Sequence, residues 1–252
     1  MSESNAHTPN LARMYDYLLG GTDNHAVDRE AIDRLAALVP QAVPLARASR
    51  AFLQRAVRHL SERGVRQFLD LGSGLPTQGN VHEVAPQAKV VYVDRDPVVA
   101  GHARALLEKS GRAVFVQADL LEPDELLAQA ARFLDLKEPV GVLLVSILNV
   151  IPDARDPQKM VARLRDVIAP GSYLVLTHAT SRVRFEGAGR APGGTGGTDR
   201  TPREIRAFFG DFELVEPGLV HAPDWRPDRP RLVSEPSLPS YLLAGVARKD
   251  DE

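Results

Sequence analysis

The chain has 252 residues, no cysteine, and 31 basic against 33 acidic residues for a formal charge of −2. Its length suits one large α/β domain, or a core with an embellishment. The missing cysteines exclude disulfides, thiolate metal sites, iron–sulfur clusters and a cysteine nucleophile, and the near-balanced charge gives no bulk pull toward nucleic acid or anionic lipid.

Taken in chain order, residues 1–10 read as a frayed tail, followed by "YDYLLGGTDNHAVD" (15–28), dense in turn-forming and hydrogen-bonding groups. Neither a signal-peptide core nor a run of roughly eighteen apolar residues occurs, so no secretion signal or membrane span is expected and a cytoplasmic protein is. Val27, Ala31, Leu35 and Leu38 share one helical face that Pro40 ends. A second helix starts near Pro44 and stops at Gly64, with Leu45, Phe52, Ala56 and Leu60 as its stripe. Residues 1–64 are thus expected to form a helical cover and 65–252 the core, within one continuous structural domain.

From there the pattern alternates. Segments 66–74, 88–96, 113–120, 139–148 and 171–179 read as strands, the fourth apolar enough to be buried on both faces. Helical patterns at 97–110, 123–135 and 156–168 separate them, which predicts a parallel sheet covered on both sides. After a helix at about 202–209, "FELVEPGLV" and "SYLLAGVAR" supply two closing strands. The stretch 186–200 carries six glycines and no large apolar residue, and reads as a loop over one end of the sheet. Arg226, Arg229 and Arg231 read as solvated loop charge rather than a basic binding patch.

"FLDLGSGLP" carries the chemistry. The strand delivers Asp70, then Gly72, Ser73 and Gly74, where a backbone turns sharply and approaches a ligand without Cβ obstruction. A GxG alone also fits an ordinary strand-to-helix turn. Asp94 closes the next strand, where a carboxylate meets a ribose diol in such folds. Asp96 competes for that role, but it precedes Pro97 at a helix start and suits an N-cap better. Asp119 and Leu120 follow the third strand on the same sheet edge, placed to read an adenine. Arg95 and Ser146, at the ends of the second and fourth strands, complete the expected cofactor set. The dinucleotide pattern fails, because Thr77 stands at the third glycine and Pro76 interrupts the turn; no phosphate-cradling G-x-x-x-x-G-K-[ST] occurs either. The cofactor therefore reads as S-adenosyl-L-methionine, which has no phosphate to cradle.

At this point the chain resembles a known family. "YDYLLGGTDN", "SRAFL", "FLDLGSGLPTQGNVHEVA", "VVYVDRDPVV", "APGSYLVLTHAT" and "LVEPGLV" together look like an actinobacterial family of S-adenosylmethionine-dependent methyltransferases, formerly a domain of unknown function, over about residues 9–248. The resemblance implies a Rossmann-like, seven-stranded, mostly parallel sheet with an antiparallel last strand. It also implies cofactor contacts from Gly72, Ser73, Gly74, Asp94, Asp119 and Leu120. This chain departs from the family pattern at Thr22, usually Lys; at His25, usually aromatic; and at Asn149, commonly His.

The open end of such a sheet needs a cover that keeps water from the sulfonium, and residues 11–25 are expected to supply it, Gly20 and Gly21 permitting the reversal. Arg13 is the candidate partner of the cofactor carboxylate, Tyr15 of its methionine tail, and Asp16 alternatively of its ammonium; Asp23 and Asn24 are expected to cap the next helix. His178, at the end of the fifth strand, is either a general base or a satisfied strand-end histidine, and Asn149 can orient a substrate but not take its proton. Trp225 suits packing better than a substrate wall, and the remaining histidines lack metal-ligand spacing. The expected partner is a small-molecule acceptor, with no nucleic acid or membrane; a homodimer is compatible. Two other classes stay open: a non-catalytic S-adenosylmethionine-binding sensor, and a nicotinamide-dependent oxidoreductase, which Thr77 disfavours.

Overall fold

Three helices precede the first strand: α1 (Leu11–Leu18), α2 (Ala26–Leu38) and α3 (Ala42–Glu62). The computed structural model describes residues 7–76, 79–107, 111–180, 198–229 and 242–250. Five parallel strands follow in the order expected: β1 (Gln67–Leu71), β2 (Lys89–Asp94), β3 (Ala113–Gln117), β4 (Gly141–Leu144) and β5 (Tyr173–Ala179). They alternate with α4 (Val81–Val84), α5 (Pro97–Leu107), α6 (Pro123–Ala130) and α7 (Pro157–Val167); α8 (Pro202–Ala207) follows β5. The last strand, β8 (Leu242–Arg248), runs antiparallel to β5, as the family resemblance implied. The sheet order is β3-β2-β1-β4-β5-β8, with a short edge strand at Glu213–Leu214 beyond β8. The stretch expected as one strand at 212–220 divides into β6 (Glu213–Leu214) and β7 (Val220–His221), both antiparallel to β8, with a cis Glu216–Pro217 bond between them.

Side chains alternate across this sheet, and each face has its own core. Leu69, Leu71, Val91 and Leu144 pack against α6, α7 and α8. Phe68, Val90, Leu143 and Val175 pack against α3 and α5, with Phe52, Ala56, Val57 and Leu60 of α3 wholly buried there. α3 is therefore a layer of the sheet's own core. The fourth strand is shorter than its apolar run suggested, because Ser146 takes a left-handed φ of 60° and turns the chain out of the ladder. Of the tail expected at 1–10, residues 1–6 lie outside the described residues, and Asn10 is ordered by side-chain and backbone bonds. Asn10 caps α1 by accepting from the Arg13 N–H, and its own N–H donates to Asp28 at 2.8 Å.

Candidate functional site

At the end of β1 the N–H groups of Gly72 and Ser73 both donate to the Val93 carbonyl, at 2.8 and 3.1 Å, which folds the turn back across β2. Gly72 (φ 68°) and Gly74 (φ 64°) lie in the left-handed region, but their surroundings differ. A Cβ at Gly72 would stand 2.5 Å from Ile147 Cγ1, whereas one at Gly74 would meet nothing within 4 Å. The Gly74 N–H donates to Asp94 Oδ2 and the Asp96 N–H to Asp94 Oδ1, each at 3.0 Å. Burial pushes the Asp94 carboxyl up against these two N–H bonds. Asp96 caps α5 by accepting from the Val98 N–H at 2.8 Å, and it also accepts from the Asn10 side chain. On the neighbouring loop Asp119 accepts from the Leu121 N–H at 3.0 Å and stands 3.5 Å from the Arg95 guanidinium, which is largely exposed. Leu120 is buried.

Below this turn the β1–β2 register sets Asp70 beside Tyr92, on the face covered by α3. Asp70 is 6 % exposed, and burial raises its pKa to about 7, with Arg50 opposing and Asp94 adding to the rise. Arg50, Asp70, Ser73, Gly74, Asn80 and Tyr92 line one cleft, in which Arg50 donates to Asn80 Oδ1 at 2.9 Å. The Tyr92 hydroxyl is engaged by His82, accepting its backbone N–H at 3.0 Å.

Beside the cleft, hydroxyls gather over the ends of β4 and β5. Ser49 Oγ lies 2.6 Å from Ser146 Oγ and 3.2 Å from Thr177 Oγ1, and Thr177 accepts the Ser146 N–H at 2.8 Å. Tyr15 comes down from α1 onto this group and donates to the Ala46 carbonyl at 3.4 Å; burial raises its pKa, opposed by Arg50 and by the Ser146 and Ser49 hydroxyls. α1 itself packs against α2 and α3, and Tyr15 is the residue it brings to this group.

Several expected roles are displaced by partners. Arg13 is buried and bound to Asp28, with Nε 2.6 Å and Nη2 3.2 Å from its oxygens, and it also donates to the Thr8 carbonyl at 2.8 Å. Burial would raise the Asp28 carboxyl, yet Arg13 and the N–H groups of Asn10 and His25 hold it below its ordinary value. In this structure the Arg13 guanidinium expected at a cofactor carboxylate is engaged by Asp28. Asp16, buried, accepts from Asn24 at 3.0 Å and packs under Gly21, so it holds the reversal together. The N-cap of α2 is His25, not Asp23 or Asn24.

His178 is fully buried, with Nδ1 donating to the Ala179 carbonyl at 2.5 Å and Nε2 accepting from Arg200 at 2.7 Å. Burial, with Arg200 adding to it, pushes its pKa down to about 4. Both nitrogens are engaged in this structure, the arrangement of a satisfied strand-end histidine. Asn149 lies in a 3-10 turn after β4, and its backbone carbonyl accepts the Thr198 N–H at 2.6 Å. Trp225 is fully buried and meets Phe52 edge-on at 5.3 Å, a packing role. Residues 181–197, most of the glycine-rich loop, lie outside the described residues; its end is anchored by Arg200, which donates to the Leu148 and Ile151 carbonyls at 2.7 and 2.8 Å. Among the described residues no group of three possible metal ligands occurs, and no helix is long and apolar enough to cross a membrane.

Sequence reasoning missed Arg50, Ser49, Thr177 and Arg200. "SRAFL" holds two of them, but helical periodicity reports only the apolar stripe through that segment.

Comparison with known proteins bears on the family and the fold. A family model described as S-adenosyl methyltransferase matches residues 2–250. A protein of Thermobifida fusca YX, which carries a provisional methyltransferase name, is 40% identical with a TM-score of 0.89 over 98% of this chain and 97% of that one. A DUF574 family protein of Streptomyces avermitilis MA-4680 is 35% identical, TM-score 0.88, over 97% and 99%. At the level of fold alone, the chain is similar to magnesium protoporphyrin IX methyltransferase of Synechocystis PCC 6803 with bound S-adenosylmethionine: 16% identity, TM-score 0.55, over 94% and 90%. No curated protein matches.

Proposed function

The chain belongs to the S-adenosyl methyltransferase family, and from that premise we propose that it methylates a small-molecule acceptor over the carboxyl ends of β1, β4 and β5. S-adenosylmethionine is the methyl donor; when bound, it supplies an electrophilic methyl on a sulfonium that leaves as a neutral thioether. The residues present fit that group. Gly74 leaves open space where its side chain would be, and the Asp94 carboxylate, already holding the turn by two N–H bonds, keeps lone pairs for a ribose diol. Asp119 and the backbone at Leu120 suit an adenine edge on the next loop, with Arg95 steadying Asp119. Family membership sets the nicotinamide alternative aside.

The carrying observation is the cluster of Tyr15, Ser49 and Ser146 beside that turn, under α1. These neutral hydroxyls can donate to or accept from an acceptor and hold its nucleophilic atom in line. Asn149, on the same strand end, orients through a carboxamide. Catalysis on this reading is positioning: fixing two reactants in line converts a bimolecular step into one that is effectively intramolecular. Exclusion of water by α1 strengthens every polar contact inside. With His178 committed to Ala179 and Arg200, the reading requires an acceptor that arrives with its lone pair free.

Incubation with methyl-tritiated S-adenosylmethionine and a size-fractionated cell extract tests the acceptor class. Label is expected in the small-molecule fraction; label confined to protein or nucleic acid would overturn the reading.

A further inference from the structure

One short helix bridges the places assigned to the cofactor's ribose and to the acceptor. Asn10, the N-cap of α1, donates its side-chain N–H to Asp96 in the turn between β2 and α5. Tyr15, about 7–8 Å further along the same axis, reaches the hydroxyls at the ends of β4 and β5. We infer that Asn10 is a positioning residue: through Asp96 it ties the seating of α1, and with it Tyr15, to occupation of the ribose site at Asp94. The inference rests on the reading above and adds to it a link between cofactor and acceptor.

Three observations carry it. First, Asp96 is bonded on both sides. Its N–H donates to Asp94 Oδ1 at 3.0 Å, and its carboxylate accepts from the Val98 N–H at 2.8 Å and from Asn10. The carboxylate expected on the ribose and the one that holds α1 are therefore joined through one short stretch of backbone. Second, α1 moves as a rigid piece. Asn10 Oδ1 accepts the Arg13 N–H at 3.0 Å, the Asn10 N–H donates to Asp28, and Arg13 pairs with Asp28, so the cap, the helix and the first turn of α2 form one unit. Third, Tyr15 holds the acceptor side by a long bond, 3.4 Å to the Ala46 carbonyl, which a small shift of α1 would break. Ribose hydroxyls on Asp94 immobilise the β2–α5 turn, so part of the entropy of ordering Asp96 is already lost when Asn10 binds it. The link is reciprocal: an α1 seated by Asn10 favours a filled ribose site.

Asn10→Asp isolates the link. An aspartate caps α1 as the asparagine does, but it sets a carboxylate against Asp96. Asp96→Asn keeps the α5 cap in the same way and returns an N–H to the pair, so the two changes together rebuild the bond in reverse. Backbone hydrogen exchange of residues 11–19 is followed with and without S-adenosylhomocysteine, beside calorimetric affinity and an unfolding curve for each protein. In wild type the ligand should slow exchange in α1 severalfold. Asn10→Asp should remove that slowing and weaken S-adenosylhomocysteine about tenfold, in line with one charge-assisted hydrogen bond lost, and the double variant should recover both. A wild type that binds the ligand with α1 exchange unchanged, a folded Asn10→Asp that keeps the slowing, or a double variant no better than the single one would overturn the inference while the cofactor site stands. Failure of wild type to bind S-adenosylhomocysteine would remove the cofactor reading itself.

Discussion

Alanine at Gly72 and at Gly74 should do different damage for reasons the turn makes explicit. Both residues have left-handed φ, 68° and 64°, so each substitution carries the same backbone strain of about 1–2 kcal/mol. At Gly72 the new Cβ also lands 2.5 Å from Ile147 Cγ1 and 3.0 Å from its Cβ. Ile147 is β-branched and stiff, and its root is involved as well as its tip, so the neighbour cannot swing clear cheaply. Overpacking of that kind costs about 1–3 kcal/mol more, for roughly 2–5 kcal/mol in all. In a chain of this size that lowers Tm by about 4–20 °C. Gly74→Ala, with nothing within 4 Å, should cost only the backbone strain. Its loss should appear instead in cofactor affinity, because the methyl projects into the space assigned to the ligand. Urea denaturation and S-adenosylhomocysteine calorimetry on both variants measure the two quantities, and Ile147→Ala in the Gly72→Ala background should recover part of the stability. Equal destabilisation by the two alanines, or wild-type cofactor affinity in Gly74→Ala, would refute the reasoning.

Arg13→Met should be a stability lesion of about 3–5 kcal/mol, since it strands the buried Asp28 carboxylate with its ion-pair partner gone, and a stable variant that has lost cofactor binding would restore the role assigned from sequence. Asp70→Asn should change how stability depends on pH. The folded pKa of Asp70 is raised to about 7, so the native state holds the extra proton and loses stability as pH rises from about 4 through 7. Removing that carboxyl should therefore improve the ligand-free variant relative to wild type between pH 5 and pH 8, by up to about 4 kcal/mol, and a pH-independent difference in Tm would contradict it. His178 acts with the opposite sign: its folded pKa of about 4 makes stability fall as pH drops from about 6.5 through 4. Arg200→Met should leave His178 Nε2 without its donor, while the Ile151 carbonyl keeps the Thr198 hydroxyl and the Leu148 carbonyl keeps the Ile151 N–H, for a loss of about 1–3 kcal/mol by chemical denaturation; unaltered stability would show the His178 bond to be replaceable.

The sheet was readable because parallel strands buried on both faces leave unbroken apolar runs, and each helix between them carried its own start or stop. The division of labour between Asp94 and Asp96 was half readable for a similar local reason: Pro97 marks a helix start, and the cap at Asp96 follows from it. Partners distant in sequence were not readable. Arg13 finds Asp28 on the next helix, and His178 finds Arg200 beyond a glycine-rich segment, so neither commitment has a local signature. The fourth strand was overextended because apolarity continues past Leu144, while the left-handed turn at Ser146 belongs to no composition rule. Arg50 and Ser49 lie on the polar edge of α3, where spacing shows a solvated face and only the strands beneath reveal a site.

The central claim is that the cofactor's ribose lies on Asp94 at the glycine turn. Calorimetric titration of wild type and Asp94→Ala with S-adenosylmethionine tests it most directly, with unfolding curves confirming that both are folded. The account predicts saturable one-to-one binding in wild type and at least about a hundredfold weakening in the variant, from two lost charge-assisted hydrogen bonds. A folded Asp94→Ala that binds S-adenosylmethionine as wild type does would contradict it.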